Sequence, residues 1–232
     1  MALGSYNYIR NMKLVISALV KVIVGLAAVA ALLFAPAGSF HFPGAWRLIA
    51  LLFIPMIIIG VVFLLWSPET LSRRLRAKEE RSKQKGVVAV SGLLFIASFV
   101  LAGLDFRFGW SDMPDWVLWT AGVIFLASYG MYAEVMRENA YLSRIIEVQE
   151  GQRVVDTGLY GVVRHPMYTA TTLLFLAMPL VLASPISLLI MLLYIPLIVV
   201  RIIHEERYLK VNLEGYTEYT KRIRYRLIPY IW

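Results

Sequence analysis

The feature that most constrains this sequence is a series of apolar runs about as long as a bilayer is thick. They cover about Leu14 to Phe34, Ala45 to Trp66, Val87 to Phe106, Trp116 to Glu134, Tyr168 to Leu182 and Ile186 to Ile203. An α-helix crosses the roughly 30 Å of hydrocarbon in about 20 residues. Backbone polar groups in lipid have only one another to bond, so such runs must be helical. A chain with 59% hydrophobic and 16% charged residues is also too apolar for a water-soluble domain of 232 residues. The expected fold is therefore all-α, a polytopic transmembrane bundle of about six spans with a C-terminal interfacial helix. The first run follows Arg10 and Lys13 as the core of a secretory signal would. Its length, the presence of Lys21 and the spans behind it favour a retained first helix.

Positive charge sets the expected orientation. Residues 67–86 hold seven Lys or Arg and the tail after Ile203 holds six, whereas 35–46, 109–115 and 183–187 hold none. The positive-inside rule turns that alternation into six crossings with both termini cytoplasmic. The formal net charge of +8 is thereby explained by topology and anionic lipid, and nucleic acid is not an expected partner. With no cysteine, disulfides, thiolate metal sites and a cysteine nucleophile are excluded, and three histidines (His41, His165, His204) make a dedicated transition-metal site improbable.

Pro36-Ala-Gly-Ser should break the first helix, and Pro55, Pro179 and Pro196 should bend theirs. The two last spans are joined by Ala183-Ser184-Pro185 alone, which forces an antiparallel hairpin. Between Glu134 and Pro166 lies a polar stretch of about thirty residues, longer than a compact bundle needs for a turn. The chain thus divides into residues 1–133, holding spans one to four, and residues 134–232, a core made of this loop, the hairpin and a tail in which Tyr216, Tyr219 and Ile223 share a helical face.

Two constellations carry possible chemistry. In Gly158-Leu159-Tyr160-Gly161-Val-Val-Arg164-His165-Pro166-Met-Tyr168, the glycines permit close backbone approach to a ligand, and Pro166 starts a helix while holding His165 extended. Arg164 is equally a positive-inside anchor, and His165 an interfacial residue satisfied by water or backbone. In Arg201-Ile-Ile-His204-Glu205-Glu206, two carboxylates near lipid mark a functional candidate, yet Arg201–Glu205 and Glu206–Lys210 also stand four residues apart, as surface ion pairs do. The hairpin brings both constellations to one end of two adjacent helices, so that Arg164, His165, Tyr168, Glu205 and Glu206 can line one pocket.

Gly158-x-Tyr160-x-x-x-Arg164-His165-Pro166-x-Tyr168, Glu205-Glu206, and Gly215-Tyr216-x-x-Tyr219-x-x-x-Ile223 ending in Leu227-Ile228-Pro229 resemble the isoprenylcysteine carboxyl methyltransferase family and, more distantly, the phospholipid N-methyltransferases. The stretch from Glu134 through Arg137, Asn139 and Tyr141 to Arg144 is similar to the segment that precedes this motif in bacterial members. The resemblance implies an integral-membrane enzyme using S-adenosyl-L-methionine, in a bacterial or archaeal inner membrane, with its site open to the cytosol. It implies cofactor contacts from Gly158, Leu159, Tyr160, His165 and Tyr168, and from Glu205 and Glu206 at the cofactor's polar end. Arg164 and Glu205 would be catalytic, and Arg137, Asn139 and Arg164 would meet a lipophilic acceptor, prenylated or another membrane lipid. Ala170 departs from the glycine that members often carry there.

The Arg-His-Pro-x-Tyr string also resembles the membrane sterol and steroid reductases, which use NADPH, and Arg222, Arg224 and Arg226 offer basic groups for a 2′-phosphate. A non-catalytic membrane protein is the third alternative. Reporter fusions at the C-terminus should read out a cytoplasmic location; an external reading would reverse the topology.

Overall fold

The computed structural model describes residues 2–66, 72, 82–142 and 146–232, all helix, turn or loop. Most of the basic 67–86 loop and Arg144 lie outside the described residues. Four long helices come first: α1 (Ala2–Ala37), α2 (Pro43–Trp66), α3 (Ser82–Phe108) and α4 (Asp115–Glu138). After an extended loop and a single 3-10 turn at Gly158–Gly161 come α5 (Pro166–Val181), α6 (Pro185–Leu192), α7 (Tyr194–Asn212) and the short α8 (Tyr216–Arg222).

Five apolar segments are long enough to cross a membrane, with α6 and α7 forming one of them, and α5 is a shorter sixth of 16 residues. The spans expected from the sequence are therefore present. The last span is divided because Pro196 has no N–H to offer the carbonyl of Leu192, and the helix parts at Leu193. Pro55 and Pro179 are carried inside their helices. Leu65 and Trp119, 72% and 77% exposed, are typical of the outward faces, which are apolar as a lipid-facing surface requires.

The main core lies toward one end of the bundle. There Leu33 and Phe34 of α1, Ala45 and Leu48 of α2, Phe99 and Ala102 of α3, Ala121 and Phe125 of α4, and Ala177 and Val181 of α5 interlock. Small residues let backbones meet, as is usual where lipid removes any hydrophobic drive for helices to associate. A Cβ on Gly103 would stand 2.7 Å from the carbonyl oxygen of Leu33. The same end is riveted by Asp105, buried, whose carboxylate accepts from the Ser111 backbone N–H (2.9 Å), the Ser111 hydroxyl (2.7 Å) and the Ser184 hydroxyl (2.5 Å). Asp105 is thus a tie between α3 and the α5–α6 turn.

At the opposite end, α4 stops, α5 starts and α7 runs on past its apolar portion. The tail helix α8 is shorter than its aromatic pattern suggests. Its buried Tyr216 and Tyr219 face Val148, Val154 and Leu209 of the protein itself.

Gly103→Ala should lower stability by about 1–3 kcal/mol, the usual cost of overpacking, while Gly92→Ala, where a Cβ meets nothing within 4 Å, should not. Thermal unfolding in detergent checks both.

Candidate functional site

Pro166 occupies the first position of α5, where its missing N–H costs nothing, and His165 is the residue before it at φ −127°. The chain on either side of this junction is held by the tail. The N–H groups of Arg164 and His165 donate to the carbonyls of Tyr225 and Arg226, each at 2.9 Å, and the Thr169 hydroxyl donates to Leu227 O at 2.7 Å. Residues 225–227 thus run beside the start of α5 and fix it.

One carboxylate organises the rest. Glu206, buried on α7, accepts from Arg164 Nε at 2.6 Å and from His165 Nε2 at 3.3 Å on Oε1, and from Arg226 Nε at 3.0 Å on Oε2. An ionised carboxylate only accepts, so Nε2 of His165 is the protonated nitrogen in this contact. Arg164 Nη1 donates in turn to the carbonyls of Ile223 (2.7 Å) and Arg224 (2.9 Å). Hydrogen-bonded pairing of this kind is what a charge out of water requires.

Glu205, one residue earlier and about 100° around the helix, faces elsewhere. Its Oε2 accepts from the Tyr168 hydroxyl at 2.5 Å, and that hydroxyl accepts from Arg201 Nε at 2.8 Å. The His165 and Tyr168 rings stack at 5.7 Å between centroids. Glu205 Oε1 has His165 Nδ1 at 3.8 Å, beyond hydrogen-bond reach, so among the described residues this oxygen has an open acceptor position.

In front of this group lies an open cavity. Its lining includes the polar side chains of Asn139, Tyr160, Arg164, His165, Tyr168, Arg201 and Glu205 and the apolar side chains of Leu142, Ile146, Met167, Leu209 and Leu213. Tyr216 and Tyr219 close it from the tail. Tyr219 donates to the Tyr160 carbonyl at 2.7 Å, whereas the buried Tyr216 hydroxyl has no partner among the described residues. Burial, then the charges of Glu206 and Glu205, raises the Tyr216 phenol well above its ordinary pKa, so it remains an O–H donor.

The sequence-derived candidates separate into three groups. Tyr160, Arg164, His165, Tyr168, Glu205 and Asn139 all line the cavity. Glu206 does not line it; it stands behind the wall, enclosed by Arg164, His165 and Arg226. Gly158 and Leu159 are also off the wall. At φ +48°, Gly158 admits the Glu138 carboxylate into the space a Cβ would fill, and that carboxylate accepts from Thr157 Oγ1 (2.8 Å) and Leu159 N–H (3.2 Å). Their work is to shape the turn that presents Tyr160, whose hydroxyl accepts from Asn139 Nδ2 at 2.9 Å. Arg137 is exposed and paired with Glu134 at 2.6 Å, away from the cavity. Sequence reading missed Glu138 as the brace of the turn and Arg226 as a partner of Glu206. Both are separated from their partners by at least 19 residues, with no periodic signal between.

Residues 116–214 match the family model for phospholipid methyltransferase. This stretch is similar to the phospholipid methyltransferase family. No curated protein matches the chain significantly. The match, less than half of the chain, takes in α4 through α7 and nearly all of the cavity wall. With the apolar helices, it supports an integral-membrane methyltransferase. Tyr216 and Tyr219, which line the cavity, and Arg226, which bonds Glu206, lie beyond the matched stretch.

Glu206→Ala would leave Arg164 buried without its counter-charge, so it should cost about 3–5 kcal/mol, the usual result of removing one buried partner. Glu205→Gln, at a position with an open oxygen, should cost far less. Unfolding of the two purified variants in detergent checks the contrast.

Proposed function

We propose that this protein transfers the methyl group of S-adenosyl-L-methionine to a lipophilic acceptor, at the carboxylate of an isoprenoid-linked or other membrane lipid. The observation that carries the reading is the mixed lining of the cavity, in which the Glu205 carboxylate and the stacked rings of His165 and Tyr168 stand together with aliphatic side chains. The donor set suits the cofactor: a carboxylate for an ammonium group and aromatic faces for a sulfonium cation. When bound, S-adenosyl-L-methionine supplies a methyl carbon whose bond to sulfur breaks as an acceptor lone pair attacks, leaving a neutral thioether and requiring no oxidant.

The chain's own residues then have distinct tasks. Glu205 holds the positive amino group through Oε1, and Tyr168, whose hydroxyl accepts from Arg201, fixes the Glu205 carboxylate through Oε2. Arg164 has Nε and Nη1 engaged by protein acceptors, which leaves Nη2 to orient an acidic acceptor. A carboxylate is already ionised near neutral pH, so the site must align it and exclude water more than remove a proton. Leu142, Ile146, Met167, Leu209 and Leu213 are the lining residues that exclude water in this way. The shortness of α5 supports entry from the membrane: its 16 residues span about 24 Å, so the cavity floor at its start is recessed toward the hydrocarbon.

Isothermal titration of the purified protein with S-adenosylhomocysteine and, separately, NADPH tests the cofactor. Binding of the first and not the second is expected, with Glu205→Ala and His165→Ala each weakening it about 10-fold or more, the scale of a lost hydrogen bond to charge. NADPH binding without S-adenosylhomocysteine binding would replace the reading with a reductase. Labelled methyl groups recovered from membrane lipid as base-labile esters would establish a carboxylate acceptor; base-stable label would establish an amine.

A further inference from the structure

Past Arg226 the tail closes on itself. Arg226 reaches inward to Glu206, and its guanidinium also lies over the Trp232 ring, 5.1 Å from its centroid. Trp232 O accepts from the N–H groups of Arg226 (2.9 Å), Leu227 (2.8 Å) and Ile228 (3.1 Å), and Trp232 N–H donates back to Ile228 O at 3.1 Å. The result is a clamped hook. Within it Tyr230 stands at φ +65°, a conformation that a bulky residue keeps only where its surroundings enforce it.

The two sides of the hook meet different surroundings. On the inner side, buried Leu227 and half-buried Trp232 join the apolar cluster of Tyr168 on α5 and Tyr194, Ile198 and Ile202 on α7. The outer side is apolar as well, yet bare: Tyr230 is 88% and Ile231 76% exposed, and Ile228 is exposed with them. Its level in the bundle indicates what covers it. Leu227 O takes the Thr169 hydroxyl in the first turn of α5, where an apolar run begins, and Ile202 is close to where the apolar run of α7 ends. The hook therefore lies at the rim of the membrane-spanning part and continues its lipid-facing surface. Arg224, exposed and without an ion pair among the described residues, stands just before it. An aromatic tip, aliphatic neighbours and a cation are the composition that suits the boundary between headgroups and acyl chains.

We infer that residues 228–231 form a membrane-inserting hook, with Tyr230 and Ile231 entering the headgroup and upper-chain layer of the bilayer at the site's end of the bundle. The amphipathic helix expected in the tail turns its aromatic face to the protein, and the hook makes the contact with lipid in its place. Since Arg226 opens the hook and also bonds Glu206, the joint that carries the site is tied to the bilayer as well as to the helices. None of this depends on the chemistry proposed for the cavity.

The chain has no cysteine, so one introduced cysteine carries a spin label at a single place. Tyr230→Cys and Ile231→Cys, labelled in nanodiscs of phosphatidylcholine and phosphatidylglycerol, should show the high oxygen and low nickel-chelate accessibility of lipid, as a label at exposed Ile58 of α2 does. A label at exposed Glu218 of α8 should show the reverse. Nickel accessibility at 230 and 231 equal to that at 218 would put the hook in water and overturn the inference. Low accessibility to both reagents would put it against protein, whether a second copy or another partner, and overturn it equally. Tyr230 gives up a ring contact with Tyr225 (5.3 Å) when replaced, so Ile231→Cys decides the outcome if the two positions differ.

Discussion

The site depends on one buried carboxylate. Glu206 gathers Arg164, His165 and Arg226, three cationic or hydrogen-bond-donating groups from the loop before α5 and from the tail after α8. An ion so enclosed is tolerable because each partner supplies a hydrogen bond that water would otherwise give. It fixes the start of α5 against α7, and the paired strands of backbone at 164–165 and 225–226 lock the same junction from outside. Everything that faces the cavity is mounted on that joint.

Adjacent positions on α7 divide the labour. With successive residues about 100° apart on a helix, Glu206 turns into the protein and Glu205 turns to the cavity, where Tyr168 and Arg201 steady it. A rigid support carrying one exposed polar group is the arrangement that lets a small binding group act with defined geometry. The same separation explains why two consecutive carboxylates differ in their surroundings, one with three donors and one with an open oxygen.

Much of this could be read from the chain. The apolar runs gave the helices because backbone in lipid has few choices. The three-residue link at 183–185 put residues 165 and 205 at one end of the bundle, since so short a connection leaves only an antiparallel pair. What could not be read was which partner each charge takes. Local spacing offers Lys210 to Glu206, but the fold delivers Arg164 and Arg226 from 42 and 20 residues away. Likewise, the Tyr216 and Tyr219 stripe reads as a lipid-facing helix, because periodicity reports that a face is apolar and not what covers it; residues 148–154 do so. Glycine at 158 was recognisable as a close approach, although the approaching group is Glu138 rather than a ligand.

The rivet at Asp105 bears on the order in which the bundle is built. Ser111 lies six residues away and can close its turn on the carboxylate as soon as α3 exists, but Ser184 arrives 79 residues later. Since chains are made from the N-terminus onward, the early helices must wait with a half-coordinated acid at their rim. Docking of the hairpin is what seals that rim, so the last pair of segments to enter the bilayer also completes the seam between those made first.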